Sequence, residues 1–254
     1  MVRCAPAASA SFESSMTPET GFTSRFVSAS DGLKLHLRDY GSLAATALPV
    51  ICLPGFARTA ADFHELAVAL AQDEDKPRRV LALDYRGRGL SEYDKNWKNY
   101  DIRVELDDLI QVLVASGIEQ AVFVGTSRGG LLTIALAAAR PAMIRGVVFN
   151  DVGPVIDARG LLRIRGYVGK LPVPRSFQEG AEILKRLSDQ QFPILGEAEW
   201  EMMARRTWTD RDGALKPDYD VRLMKVLEEL DLEAPLPVLW TYFDALKADM
   251  LRRS

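Results

Sequence analysis

The sequence predicts an α/β fold built around a mostly parallel sheet, with an N-terminal β-hairpin and a helical cap. Three observations carry this. Short runs that are apolar throughout recur at residues 49–53, 80–83, 121–124 and 146–149, as in strands buried on both faces of a parallel sheet. Helical patterns lie between these runs, so each strand–helix–strand passage reads as a right-handed crossover unit. After Asn150 the strand rhythm stops and only helical pieces follow.

Taken in order, residues 1–20 are rich in Ala, Ser and Thr without periodicity, which predicts a disordered tail. With one early Arg and no leucine-rich stretch, they do not read as a signal peptide. Residues 22–29 and 33–40 flank a Ser-Asp-Gly turn and read as a hairpin. In its second strand Leu33, Leu35 and Leu37 alternate with Lys34, His36 and Arg38, which predicts one wet face. The helix at 60–71 carries Phe63, Leu66, Ala67 and Leu70 on one side. The helix at 101–116 carries Leu106, Leu109, Ile110, Leu113 and Val114. The apolar helix at 131–140 stops before Pro141. Ser176-Phe-Gln-Glu179 is a capping box opening another helix. Residues 219–230 and 236–251 are amphipathic, the latter with Leu236, Leu239, Trp240, Phe243, Leu246 and Met250 on one stripe. The domain reading is a core over 21–153, a helical cap over 154–237, and a helix over 238–254 that returns to the core.

Composition narrows the function classes. The 254 residues allow one large domain or two small ones at about 100–200 residues per domain. With 35 acidic and 32 basic residues the net charge is −3, which argues against a polyanion partner such as nucleic acid. No apolar run approaches the length of a membrane span. Two cysteines, Cys4 and Cys52, exclude a disulfide framework and fit a reducing cytoplasm. Metal-ligand spacing and a phosphate loop are both missing, so no metal or cofactor is expected.

The strongest chemical signal is Gly125-Thr-Ser127-Arg-Gly129. A G-x-S-x-G match in a chain this long arises by chance at a rate on the order of 0.1, so the flanking pattern has to decide. It does: the motif follows the buried run 121–124 and opens an apolar helix, a strand-to-helix turn that lifts the serine hydroxyl clear of the backbone. A plain glycine-rich turn is the rival reading. The second signal is Leu53-Pro54-Gly55-Phe56 at the end of an earlier buried strand. Acyl transfer needs donors aimed at the developing oxyanion, and the backbone N–H groups of Phe56 and Arg128 are candidates. The Arg58 side chain is a further substrate-binding candidate. Cys52 reads as a small core residue. Trp200, Met202, Met203 and Trp208 read either as pocket lining under the cap or as cap core.

These motifs, with Asp84-Tyr-Arg-Gly-Arg-Gly-Leu-Ser91 and Asn150-Asp-Val-Gly-Pro154, resemble the α/β-hydrolase superfamily over residues 22–246. Their order is similar to its esterase, lactonase and C–C hydrolase branch. The resemblance implies Ser127 as nucleophile, oxyanion amides at Phe56 and Arg128, a structural role for Asp84, Arg86 and Gly87, and a small ester or lactone as substrate. A serine at this turn departs from the dehalogenase and epoxide hydrolase branches, which use aspartate. In this superfamily the triad runs serine, acid, histidine along the chain. Here both histidines, His36 and His64, precede Ser127 and read as surface residues. Asp151 is the acid that follows a sheet strand after Ser127, with a turn role as its rival. The reading is therefore a hydrolase lacking its triad histidine, with the last two strands of the fold missing. The alternatives are a non-catalytic ligand-binding protein of this fold and a truncated gene product. The run 146–149 is then expected to be an apolar sheet edge that promotes self-association.

Overall fold

The computed structural model describes residues 14–16, 21–231, 233, 234, 236 and 238–251. Its first half comprises β1 (Ser14–Met16), β2 (Phe22–Ser28), β3 (Lys34–Tyr40), β4 (Val50–Leu53), α1 (His64–Ala71), β5 (Val80–Leu83), α2 (Ile102–Ala115), β6 (Ala121–Thr126), α3 (Arg128–Ala139) and β7 (Ile144–Asn150). There follow α4 (Ala158–Tyr167), α5 (Phe177–Ser188), α6 (Glu197–Arg205), β8 (Trp208–Arg211), β9 (Ala214–Pro217), α7 (Leu223–Glu228) and α8 (Trp240–Leu251).

Seven strands form one sheet in the order β1-β2-β3-β5-β4-β6-β7. The β2–β3 hairpin is antiparallel and joins β5 antiparallel, while β5, β4, β6 and β7 run parallel. The apolar runs fall on these parallel strands, and β4 and β5 are buried throughout, whereas β7 is not covered on both faces as predicted: it lies at the sheet's end and Val148 is 53% exposed. Ile51, Leu81 and Phe123 pack into one core cluster, and Cys52, Val80 and Ala82 into another.

Several expectations are corrected. The tail predicted over residues 1–20 contains β1, which pairs with β2 through Ser15 and Ser24. Cys4 and the rest of that segment lie outside the described residues. The hairpin's predicted wet face is covered: His36 is 1% exposed, because the loop after β5 packs onto β3 and Ser91 Oγ accepts from the His36 N–H. On α1 the buried face is narrower than predicted, and on α2 it is rotated toward Glu105, Asp108 and Val112. Leu66 and Val114 are exposed, whereas Ala67, Leu109, Val112 and Leu113 are buried.

The segment after Asn150 is not wholly helical. Strands β8 and β9 form a separate antiparallel hairpin. With α5 and α6 they enclose Ile183, Leu184, Trp200, Ala204, Trp208 and Leu215. Trp200 and Trp208 are thus core of this satellite unit, which settles the choice between core and pocket lining for that pair. Helix α8 begins at Trp240 and lies against α3 and β7, where Phe243 stacks on Phe149 at 5.0 Å. Leu246 is buried there, while Trp240 is exposed; the Met250 side chain lies outside the described residues.

Candidate active site

The register of the parallel strands assembles the site. Leu53 at the end of β4 is paired with Gly125 in β6, and Thr126 is paired with Asn150 in β7. The loop 54–56, the turn at Ser127 and Asp151 therefore leave the same edge of the sheet next to one another. Side chains distant in sequence meet there because adjacent parallel strands end together.

Ser127 is the N-cap of α3, with φ 47° and ψ −106°. This is a sparsely populated backbone region for a residue with a Cβ, costing about 1–3 kcal/mol, and such strain persists only where the surroundings enforce it. The enforcement is visible. Ser127 N–H donates to Asn150 O at 2.9 Å, and its carbonyl accepts from Gly130 and Leu131 at 3.0 and 3.1 Å. Its flanking glycines are steric necessities. A Cβ on Gly125 would lie 2.7 Å from the backbone of Gly129, and one on Gly129 would collide with the Leu53 carbonyl. Helix α3 thus sits directly on the ends of β4 and β6. Its N-terminus aims the first-turn amides, Arg128 first, at whatever lies beside the serine. Among the described residues no side chain hydrogen-bonds to the Ser127 hydroxyl.

Phe56 is buried, 8% exposed, with its carbonyl accepting from Arg88 Nε at 2.9 Å. Its ring lies 5.4 Å from the Arg88 guanidinium and 5.5 Å from that of Arg128. Arg58 holds Asp62 through Nε and donates to Thr207 Oγ1 at 3.0 Å, so it ties the 54–58 loop to the end of the α6 segment. Burial disfavours its charge, but the Asp62 carboxylate raises its pKa overall. Asp151 follows β7 with φ 53° and is exposed; it belongs to the electrostatic surroundings of Tyr167.

Neither histidine reaches the serine. His36 was expected at the surface and is instead buried, with Nδ1 2.7 Å from Asp84 Oδ2 and Nε2 2.6 Å from Ser24 Oγ. Both ring nitrogens are thus engaged away from Ser127. His64 is part-buried between the rings of Phe22 and Tyr40, with Nδ1 3.2 Å from Tyr40 Oη. Burial lowers its pKa despite the neighbouring Glu65. The loop carrying Asp84, Arg86 and Gly87 is a packing hub: Arg86 is 1% exposed and pairs with Asp31, Asp94 and Asp108.

One residue beside the site escaped the sequence reading. Glu105 on α2 is fully buried and bridges Arg88 and Arg128. The signal was present: Glu105 stands four residues before Leu109 and eight before Leu113, on the stripe that enters the core. Cys52 is core, as expected, and burial pushes its thiol up to about 12. Among the described residues no cluster of His, Cys, Asp and Glu could hold a metal ion, and no helix is long and apolar enough to cross a membrane.

Comparison with known proteins gives a consistent result. The family profile described as alpha/beta hydrolase fold matches residues 49–168. A crystal structure of an alpha/beta hydrolase from Novosphingobium aromaticivorans is 40% identical, with a TM-score of 0.82, over 90% of this chain and 79% of that one. The 3-hydroxybutyrate-oligomer hydrolase of Cupriavidus necator is 32% identical over 68% of this chain. The chain spans 57% of the length of that relative. The crystal structure of E-2-(acetamidomethylene)succinate hydrolase, 22% identical with a TM-score of 0.70 over 89% of this chain and 77% of that one, shares the fold. The order of the strands, the strained serine turn between β6 and α3, and these matches together place the chain in the α/β-hydrolase family.

Proposed function

We propose that this chain carries the acyl-transfer site of a serine hydrolase that acts on a small carboxylic ester or lactone. The observation that supports it most is the strained backbone of Ser127 at the head of α3, beside the loop that ends β4. The similarity to a hydrolase of 3-hydroxybutyrate oligomers favours an ester of a short hydroxy acid within that class.

In this reading the substrate carbonyl lies between the two segments. Ser127 Oγ attacks its carbon, the C–O double bond opens, and the amides of Phe56 and Arg128 receive the developing oxyanion. Collapse breaks the ester C–O bond: the departing oxygen takes up the proton lost by Ser127 and leaves as an alcohol, or, from a lactone, stays as the hydroxyl end of the acyl group, and water then hydrolyses the acyl-serine. Both steps need a base near Ser127 Oγ. His36 does not supply it, since both its ring nitrogens are committed to Asp84 and Ser24; His64 is held at Nδ1 by Tyr40 and packed against the rings of Phe22 and Tyr40, with no hydrogen bond to Ser127. Asp151 stands on the β7 side of the serine, where an acid would orient such a base.

The same histidine geometry favours a second reading, a protein that binds an ester-like ligand without turning it over. The two separate cleanly. A fluorophosphonate probe should label the purified chain slowly and at Ser127, because the oxyanion site and binding retain about 10³–10⁴-fold over water when a triad is incomplete. Mapping the adduct by mass spectrometry and repeating with Ser127→Ala tests this. An adduct elsewhere, with none at Ser127, removes the serine assignment. Turnover of p-nitrophenyl acetate should be near background and unchanged in His64→Ala, since losing the histidine costs about 10⁶ in kcat in a well-studied serine hydrolase.

A further inference from the structure

Glu105 occupies an unusual position. It is 0% exposed, and each carboxylate oxygen meets a different guanidinium: Oε1 accepts from Arg88 Nη1 at 2.7 Å, and Oε2 from Arg128 Nε at 2.8 Å. Burial alone would raise its pKa, but the charges of Arg128 and Arg88 outweigh that and hold it below the usual carboxylate range. Each arginine belongs to, or bonds with, one of the two segments proposed to offer an oxyanion amide. Arg128 is the residue after Ser127, and its Nη2 also donates to Tyr100 O at 3.0 Å. Arg88 donates through Nε to the carbonyl of Phe56, the other segment that offers an amide. The Phe56 ring lies beside both guanidiniums, and Arg88 also faces Tyr85 and Tyr100 at 5.5 Å each. Arg88 Nη2 is buried without a hydrogen-bond partner among the described residues. A cation desolvated to that degree is stable only beside a fixed anion.

We infer that Glu105 is a positioning residue which, through Arg128 on one side and through Arg88 and the Phe56 carbonyl on the other, holds the two oxyanion amides at one spacing. This rests on the reading of Ser127, Phe56 and Arg128 given above. The physical reason is that an oxyanion site works by preorganisation. Its two donors stand on separate chain segments, the loop after β4 and the head of α3. Strand register aligns those segments only to the level of the backbone ladder. A single carboxylate shared by two arginines couples them more tightly.

The test reads the amides directly. In ¹⁵N-labelled protein, Glu105→Gln is expected to shift the Phe56 and Arg128 amide resonances together. Asp108→Asn, which removes a comparably buried carboxylate one turn along α2 that serves Arg86, is expected to shift neither. Arg128→Lys, at a side chain that is 13% exposed and so milder to the fold, should move the Phe56 amide although Phe56 itself is untouched. Unmoved amides in Glu105→Gln, equal movement in Asp108→Asn, or a Phe56 amide indifferent to Arg128→Lys would overturn the coupling. If Glu105→Gln does not fold, Glu105→Asp takes its place: it keeps the charge but shortens its reach to Arg88 and Arg128, and unmoved Phe56 and Arg128 amides there would overturn the coupling. Fluorophosphonate labelling adds a second readout. Glu105→Gln should lower the limiting rate at Ser127 roughly tenfold, against the 10²–10³ that one whole donor is worth, while half-saturation stays put. Labelling of the wild-type chain away from Ser127 would overturn the serine reading, and the amide shifts would still decide the role of Glu105.

Discussion

His36 Nδ1 lies 2.7 Å from Asp84 Oδ2 in the interior, with His36 1% and Asp84 4% exposed. The second ring nitrogen reaches Ser24, and the Asp84 carboxylate also accepts from the amides of Ala60 and Leu90. This histidine therefore ties the β2–β3 hairpin to the segments that follow β4 and β5. It is a structural hub, with both ring nitrogens engaged by Asp84 and Ser24.

His36→Ala removes both side-chain hydrogen bonds and leaves Asp84 with fewer donors. The expected loss is about 2–4 kcal/mol of unfolding free energy, the scale for breaking a buried polar network. Urea denaturation measures it. A loss under about 0.5 kcal/mol would mean that the pair contributes nothing to the fold.

Ser127→Gly should be more stable than Ser127→Ala by about 1 kcal/mol or more. Alanine keeps the Cβ that makes φ 47° unfavourable, and glycine relieves it. Comparing the two variants by thermal or urea unfolding isolates the strain, because neither retains the hydroxyl. Equal stabilities would show that the turn stores none.

Cys52 gives a pH prediction. Its thiol is pushed to about 12 in the folded chain by burial, against 9.0 for an unhindered one. Above pH 9 the unfolded chain loses this proton and the folded chain keeps it, so the unfolded state is favoured. Stability should fall between pH 9 and 12, by up to about 1.4 kcal/mol per unit from this group. Cys52→Ala should flatten that limb of the stability profile. At pH 8 peptide mapping should find Cys52 unmodified by iodoacetamide until denaturant is added.

Strand β7 ends the sheet among the described residues, pairing with β6 on one side, and Val148 on it is 53% exposed. An apolar edge of this kind templates pairing with another chain. Size-exclusion chromatography is expected to find the chain larger than a monomer, and Val148→Lys should return it to one. A monomer before and after the change would refute the edge as an association surface.

By itself the sequence determined the parallel core strands and the serine turn. Strands apolar on both faces announce burial without reference to a partner, and the glycines at 125 and 129 are demanded by backbone contacts within one strand-turn-helix unit. Half of the capping box at Ser176 was legible for the same reason: Ser176 Oγ caps the Glu179 N–H, while the Glu179 carboxylate accepts from the N–H of Arg175, one residue before the cap, instead of that of Ser176. The tertiary structure alone decided the rest. Lys34, His36 and Arg38 alternate like a wet face, yet the loop carrying Asp84 and Ser91 buries the histidine from 48 and 55 residues away. Glu105 stands on the stripe of α2 that enters the core, so its burial was legible, but its partners were not: Arg88 and Arg128 converge on it from two other segments. A strand's hydropathy or a turn's glycine is a local constraint written in neighbouring residues. The cost of burying a charge depends on which opposite charge the fold brings to it, and that is fixed only when distant segments pack.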